Sequence, residues 1–233
     1  MRLLKAVILR VLAIIALFLL SIGIFILLSF IQETVFVPKD YIIWIFKRPY
    51  SGLVIVYEIY LMCLFFYVFY KDLRDTWRNG RLFKKYRKPV ITAFITFNIV
   101  LLYTITSAVA VVTKDKVINY SFFSPQGREY SYNDIVKINT GVYRTGRPSL
   151  FKQSKGEFFY IIELNDGTKI DLTDVGGVNN NDEDERFVIE KLDKQLVNMD
   201  IPKESSMKNF EYTKKDLAKI YTDKIRNILE NTK

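Results

Sequence analysis

Residues 11–31, VLAIIALFLLSIGIFILLSFI, form an uncharged run that decides the structural class of this protein. An α-helix needs about 20 consecutive apolar residues to cross the roughly 30 Å hydrocarbon core of a bilayer. Two further runs reach this length: residues 89–113 carry no charge, and residues 51–70 carry only Glu58. We therefore predict a membrane α-helical region with three transmembrane helices, at about 11–31, 51–70 and 89–113, rather than core helices of a soluble protein.

The first run could instead belong to a cleaved signal peptide, because basic residues precede it. It is longer than the apolar segment of a typical signal peptide, and no small-residue cleavage site follows Ile31. A retained signal-anchor helix is the favoured interpretation.

The net charge of +9 would by itself suggest a nucleic-acid partner. Residues 1–113 contain 14 Lys or Arg and 5 Asp or Glu, whereas residues 114–233 contain 20 of each kind. The excess is concentrated in the loop 71–88, whose eight basic residues are Lys71, Arg74, Arg78, Arg81, Lys84, Lys85, Arg87 and Lys88. This loop is interpreted as a topology determinant, with contact to anionic lipid head groups as an alternative, and no nucleic-acid partner is expected.

The distribution of Lys and Arg predicts the orientation, since short basic loops remain cytoplasmic. The N-terminus and the loop 71–88 are therefore predicted inside the cell, and the loop 32–50 outside. Three crossings place everything after residue 113 outside, whereas a helix lying only at the interface would move this part to the cytoplasm. The aromatic segment 41–46, YIIWIF, is too short to span and is predicted to lie at the membrane–water boundary.

Glu58 is the one charged residue in the second apolar run. An acid inside a membrane is costly and by default indicates function. Asn98 of the third run lies at a matching depth, so these two residues are the candidate intramembrane polar site. A helix-packing contact is favoured over ion handling, because a transporter usually has more intramembrane polar groups and internal repeats.

Beyond residue 113 the apolar pattern changes to a period of two, which predicts short strands. Strands are expected at 117–123, 128–132, 135–143, 157–164 and 168–172, with turns at 124–127 and at Asn165-Asp166-Gly167. An amphipathic helix follows the acidic residues 182–185, with Val188, Leu192, Leu196 and Met199 on its apolar face. An α+β domain is therefore predicted after the helices.

The segments TKDKVINYSFF (113–123), YSYNDIVKI (130–138) and FFYIIELNDGTKIDL (158–172), followed by the amphipathic helix, resemble the bacterial PH-like domain proteins. Members of this family are membrane-anchored in many Gram-positive bacteria. The resemblance covers residues 114–202 and implies a bent antiparallel β-sheet capped by a C-terminal helix, without catalytic residues. Residues 203–209 are predicted to be a linker, and residues 213–231 a final amphipathic helix.

Two polar segments of this domain are candidate sites. Arg144, Arg147, Lys152 and Lys155 form a basic loop that would contact an anion, although a solvated hairpin loop is favoured. Residues 179–185 offer oxygen ligands for Ca²⁺ but lack the EF-hand spacing, so a loop and helix N-terminus are favoured. No metal or cofactor is predicted.

The composition excludes several classes of chemistry. The chain contains no His and one Cys, which excludes a disulfide framework, a Cys/His zinc site and His-based acid–base catalysis within it. No nucleotide-binding or hydrolase motif is found, and Cys63 is interpreted as a packing residue.

We therefore expect a non-enzymatic, membrane-anchored binding or scaffold protein. Its partners would be membrane lipids and a protein partner, a second copy of the chain or an envelope component. The alternatives are a small transporter or channel component that uses Glu58, and an accessory subunit of an envelope complex.

Overall fold

The computed structural model describes residues 2–72, 75, 86–144, 155–179 and 184–232. The chain forms two compact units. The helical unit comprises Met1–Thr34 and Gly52–Thr106, and the α+β unit comprises Val35–Ser51 and Ser107–Lys233. The predicted combination of a helical region with an α+β domain is confirmed.

Long apolar helices form the first unit. Helix α1 spans Arg2–Phe36, a 3₁₀ turn at Tyr50–Val54 leads into α2 at Ile55–Phe69, and α3 spans Arg87–Thr106. Three segments among the described residues are long and apolar enough to cross a membrane: Val7–Phe36, Tyr50–Phe69 and Arg87–Thr106. Most of their large apolar side chains are exposed, and a small buried cluster contains Leu28, Leu101 and Ile105.

The third predicted helix was placed too far along the chain. It ends at Thr106, and the last residues of the uncharged run form strand β2, Val109–Thr113. All five residues of β2 are buried, and its backbone pairs on both sides. A continuous apolar run rich in β-branched residues is typical of a strand covered on both faces, and its composition alone does not separate it from a membrane helix.

In the described part of the second unit, the strands form two β-sheets. The five-stranded sheet has the order β4-β3-β2-β1-β8 with antiparallel pairing throughout; its remaining strands are β1 Tyr41–Phe46, β3 Lys116–Ser121, β4 Ser124–Ser131 and β8 Val175–Val178. The four-stranded sheet has the order β7-β6-β5-β9, in which only β5 and β9 are parallel; its strands are β5 Ile135–Val142, β6 Phe158–Leu164, β7 Lys169–Asp171 and β9 Lys203–Ser205. Both sheets contribute to one hydrophobic core.

The prediction for residues 41–46 was wrong, because this segment is the buried strand β1. It lies between β2 and β8, and Ile43, Trp44 and Ile45 are at most 1% exposed. Ile43 and Ile45 enter the main core, while Trp44 enters a second cluster with Phe36 and other residues on the opposite face. Since both faces are covered, the strand is apolar along its whole length.

Three helices among the described residues complete the unit: α4 Glu185–Asn198, α5 Phe210–Asp216 and α6 Lys219–Glu230. Val188, Leu192 and Leu196 of α4 are buried as predicted, whereas Met199 is 39% exposed because it lies just beyond the helix. The predicted linker contains β9, and the predicted final helix is divided at Leu217, which is extended. The division lets α5 and α6 pack separately, and both bury residues in the core.

The turn predicted at 124–127 was also misplaced. Ser121 pairs with Ser124, so Phe122 and Phe123 form the hairpin turn between β3 and β4. Gly127 has a φ of +81°, and a Cβ added there would lie 2.7 Å from the side chain of Ile118. Gly127 lies within β4, and the absence of a side chain there allows β3 to approach closely. The other predicted turn is confirmed by a φ of +82° at Gly167.

Candidate functional site

A cavity of about 330 Å³ lies within the α+β unit, bounded by the start of β6, the first turn of α4 and the junction of α5 with α6. Apolar residues line its base: Phe158, Ile189, Leu217 and Ile225. Charged residues line its rim: Lys155, Glu157, Glu185, Arg186 and Asp216. We refer to this cavity as the groove. Its volume falls in the range of about 300–1,000 Å³ that is typical of ligand pockets.

The N-terminus of α4 positions Arg186. The Asp184 side chain caps the helix by accepting a hydrogen bond of 3.0 Å from the backbone N–H of Arg186, as expected for an aspartate at this position. The Arg186 guanidinium lies 2.9 Å from Asp184 and 3.3 Å from Glu185, and it faces the Tyr221 ring at 5.1 Å. The helix start therefore fixes this cation at the rim of the groove.

Helix α5 positions the opposite rim. The Thr213 hydroxyl donates a hydrogen bond of 2.8 Å to the carbonyl of Gly156, and the Asn209 amide donates one of 3.1 Å to the carbonyl of Val142. The Lys155 ammonium lies 3.8 Å from the centre of the Tyr212 ring, within the range of a cation–π contact. These contacts hold the α5 segment against the chain that enters β6.

The charges of the groove determine which ligands suit it. Three carboxylates and two cations line the rim. Both cations already have partners, Arg186 with two carboxylates and Lys155 with an aromatic ring. Two of the three carboxylates are paired as well, Glu185 with Arg186 and Glu157 with Arg48. A rim that carries both signs of charge around an apolar base suits a ligand with mixed charges and apolar side chains.

A second polar cluster lies where β1 ends. Arg48 Nη2 is 2.7 Å from Asp174 and 3.7 Å from Glu157, beside a cavity of about 150 Å³. Burial raises the pKa of Asp174 to about 7 and also raises the pKa of Asp171. Asp171 accepts hydrogen bonds from the backbone N–H and the hydroxyl of Thr173, at 3.1 and 2.7 Å. These acids are held by partners within the unit, so the cluster ties β1 to the segment after β7.

The two residues of the candidate polar site in the helices hydrogen-bond to different partners. Glu58 accepts a short hydrogen bond from the Ser21 hydroxyl of α1. The Asn98 amide donates instead to the carbonyl of Phe94, at 2.8 Å, and lies 3.4 Å from the hydroxyl of Tyr60. The partner of Glu58 thus comes from the first helix. The sequence had suggested a partner on the third helix, because Asn98 lies at a matching depth in the membrane.

The two basic loops fall partly outside the described residues. In the first loop, Lys71, Arg87 and Lys88 are exposed, and Arg74, Arg78, Arg81, Lys84 and Lys85 are not described. In the second loop, Arg144 is exposed and Lys155 lines the groove, while Arg147 and Lys152 are not described. The anion contact proposed for this loop remains a prediction.

The acidic run of residues 179–185 was considered for Ca²⁺, and residues 180–183 lie outside the described part. Asp184 caps α4. Among the described residues, no group of three or more His, Cys, Asp or Glu side chains is arranged to hold a metal ion.

The groove itself was not predicted. Its residues come from three separate segments, near positions 155, 186 and 216, which only the tertiary structure brings together. The one local signal was the acidic start of α4, which indicated a helix N-terminus but not a cavity beside it.

No protein-family model, curated protein or solved structure matches this chain. Its function therefore has to be inferred from its own residues.

Proposed function

We propose that this protein is a membrane-anchored binding module. Three helices cross the cell membrane, and the α+β unit presents the groove to a segment of a protein partner outside the cytoplasm. The exposed apolar side chains of the helical unit support the anchoring, since Phe18, Ile26 and Ile99 are each more than 60% exposed. A surface of this kind is typical of helices surrounded by lipid.

Strand β1 is the observation that carries the proposed topology. It lies between the first and second candidate spans in sequence, and it pairs with β2, which follows the third. The loop 32–50 and the chain after residue 106 must therefore lie on the same side of any membrane. This condition is met when the second and third spans both cross the bilayer, and it fails when only one of them does.

The orientation follows from charge. Eight basic residues in the loop 71–88 favour the cytoplasm for that loop, which places β1 and the α+β unit outside.

Cysteine accessibility will test this topology. In a Cys63→Ser background, we expect Asp40→Cys and Lys208→Cys to react with a membrane-impermeant maleimide added to intact cells. Lys71→Cys should react only after permeabilisation, because it lies at the other end of α2. All three positions are exposed, so burial does not limit the reaction.

The comparison between positions 40 and 208 is the decisive one. Labelling of these two cysteines from opposite sides would contradict the topology. Labelling of both only after permeabilisation, with position 71 reactive in intact cells, would retain the crossings and reverse the orientation.

The nature of the ligand is inferred from the groove. A polypeptide segment supplies both signs of charge and apolar side chains. Its charges match a rim with three acidic and two basic residues, and its apolar side chains match the apolar base of the groove, which Phe158, Leu217 and their neighbours line. The carboxylates at the rim oppose lipid phosphates. We also propose that the unit has a PH-like architecture, which the two sheets sharing one core with α4 support.

Site-specific photo-crosslinking will test the groove. We expect a benzoylphenylalanine at Asp216 to yield a discrete protein adduct in intact cells, whereas the same group at Val136 should yield none. Val136 is the matched control, because it is 47% exposed on β5 of the same unit and does not line the groove. Adding Lys155→Glu should weaken the adduct by introducing a fourth acid at the rim.

Three outcomes would contradict this ligand. They are an adduct with lipid at position 216, equal protein adducts at both positions, and the absence of any adduct at either.

A further inference from the structure

The turn between β3 and β4 carries two adjacent phenylalanines. Phe123 is 92% exposed and Phe122 is 38% exposed, and their rings meet edge to face with centroids 5.1 Å apart. We refer to these two residues as the aromatic tip. Single apolar residues on a surface are ordinary. Here two adjacent aromatic rings lie together at the end of a hairpin.

The hairpin itself does not require these aromatic residues. Two-residue hairpin turns favour Gly, Asn and Asp, because the common types need positive φ angles. Among the described non-glycine residues, positive φ occurs at Asp200 and Asn209, so neither phenylalanine adopts it. The hairpin closes instead through an irregular register. Between the pairs Asn119–Arg128 and Ser121–Ser124, β4 contains more residues than β3. Neither turn geometry nor core packing therefore explains Phe123.

The aromatic tip lies at one particular end of the five-stranded sheet. Ala110 pairs with Asn119, so the start of β2 lies beside the end of β3. Phe46 pairs with Val109, which places the end of β1 there as well. The Lys47 ammonium reinforces this arrangement by donating a hydrogen bond of 2.6 Å to the carbonyl of Tyr120.

Two connections to the apolar helices, those to α2 and α3, leave the α+β unit at this same end. Ser107, just before β2, follows the last residue of α3. Ser51 donates a backbone hydrogen bond to Lys47 and is followed directly by Gly52 of the helical unit. The chain from α1 enters β1 at the other end, where Tyr41 pairs with Thr113. Phe36, the last residue of α1, nevertheless packs against Tyr120 with ring centroids 5.2 Å apart.

We propose that the aromatic tip inserts into the lipid head-group region of the membrane that the helices cross. The candidate spans Tyr50–Phe69 and Arg87–Thr106 are joined to this end of the sheet by short segments of chain. Phenylalanine is among the apolar residues that membrane-surface segments bury at the boundary between head groups and acyl chains. Tyr50, 47% exposed and one residue before Ser51, adds a third aromatic group at this end. Insertion would fix the α+β unit relative to the membrane surface through a contact additional to its covalent connections.

Spin-label accessibility will test this inference, which depends on the proposed membrane anchoring. The full chain is reconstituted in vesicles of zwitterionic and anionic phospholipids. Single labels are placed at Phe123→Cys and Val136→Cys in a Cys63→Ser background, and at native Cys63. We expect the labels at 63 and 123 to relax with oxygen and to be protected from a water-soluble nickel complex, and the label at 136 to show the reverse. Phe123→Cys removes almost no core contact, because the side chain is 92% exposed.

The label at Cys63 separates the two hypotheses. Protection at 63 with full nickel accessibility at 123 would overturn insertion of the aromatic tip and retain the anchoring. Nickel accessibility at 63 would overturn the anchoring itself. Equal protection at 123 and 136 would also contradict a tip-specific contact.

Discussion

Replacing Trp44 with alanine is expected to lower the free energy of unfolding of the α+β unit by about 3–5 kcal/mol, the usual cost of removing a large aromatic from a core. Trp44 is 1% exposed in the central part of β1. Its ring covers β8 so closely that a Cβ on Gly176 would lie 2.3 Å from it. The substitution would leave a cavity between β1, β8 and the Phe36 cluster that rigid backbone cannot fill.

Hydrogen exchange of the full chain in detergent micelles will measure this loss. We expect faster exchange in peptides from β2 and β3, because β2 pairs with β1 and β3 pairs with β2. Gly176→Ala should also destabilise the unit, because an added methyl group would overlap the indole ring. Val136→Ala, on an exposed position of β5, is the control and should change stability by no more than about 0.5 kcal/mol. Unchanged exchange in Trp44→Ala would mean that β1 does not belong to the sheet.

Local signals identified some elements of the α+β unit. The hairpin of β6 and β7 was predictable because Asp-Gly at its turn and the alternating burial of β6 lie within a few residues of each other. Helix α4 was predictable because an aspartate caps it and its apolar face has helical spacing. In both cases the information lies within one short segment of the chain.

Long-range pairing was not predictable in the same way. Strand β1 enters the sheet beside β2, although the whole of α2 and α3 separates them in sequence. The sequence Lys203-Glu204-Ser205 has no apolar pattern, and it becomes a strand only because β5 offers a parallel partner. The same limit explains why the groove was missed: its charged residues lie far apart in sequence and converge only after the sheets form.

Replacing Asp193 with alanine should produce the other large effect. The side chain is fully buried and accepts hydrogen bonds from the Tyr160 hydroxyl at 2.9 Å, the Lys203 ammonium at 2.5 Å and the Asn231 amide at 2.7 Å. It therefore joins α4 to β6, to β9 and to the C-terminal segment. Because little solvent reaches this cluster, burial lowers the pKa of Lys203 and raises that of Tyr160 well above its ordinary value.

Loss of the carboxylate would leave a lysine whose side chain is 3% exposed without its counter-ion, although the carbonyls of Ile228 and Asn231 would still accept hydrogen bonds from it. Breaking such a buried pair from one side costs about 3–5 kcal/mol, whereas replacing both partners with apolar residues of similar size is often nearly neutral. We therefore expect Asp193→Ala to lower the urea midpoint strongly and the double variant Asp193→Leu/Lys203→Met to recover much of that loss. The fluorescence of buried Trp44 in a Trp77→Phe background will report both midpoints. If the double variant were as unstable as Asp193→Ala, the cost would come from lost packing and not from an unpaired buried charge.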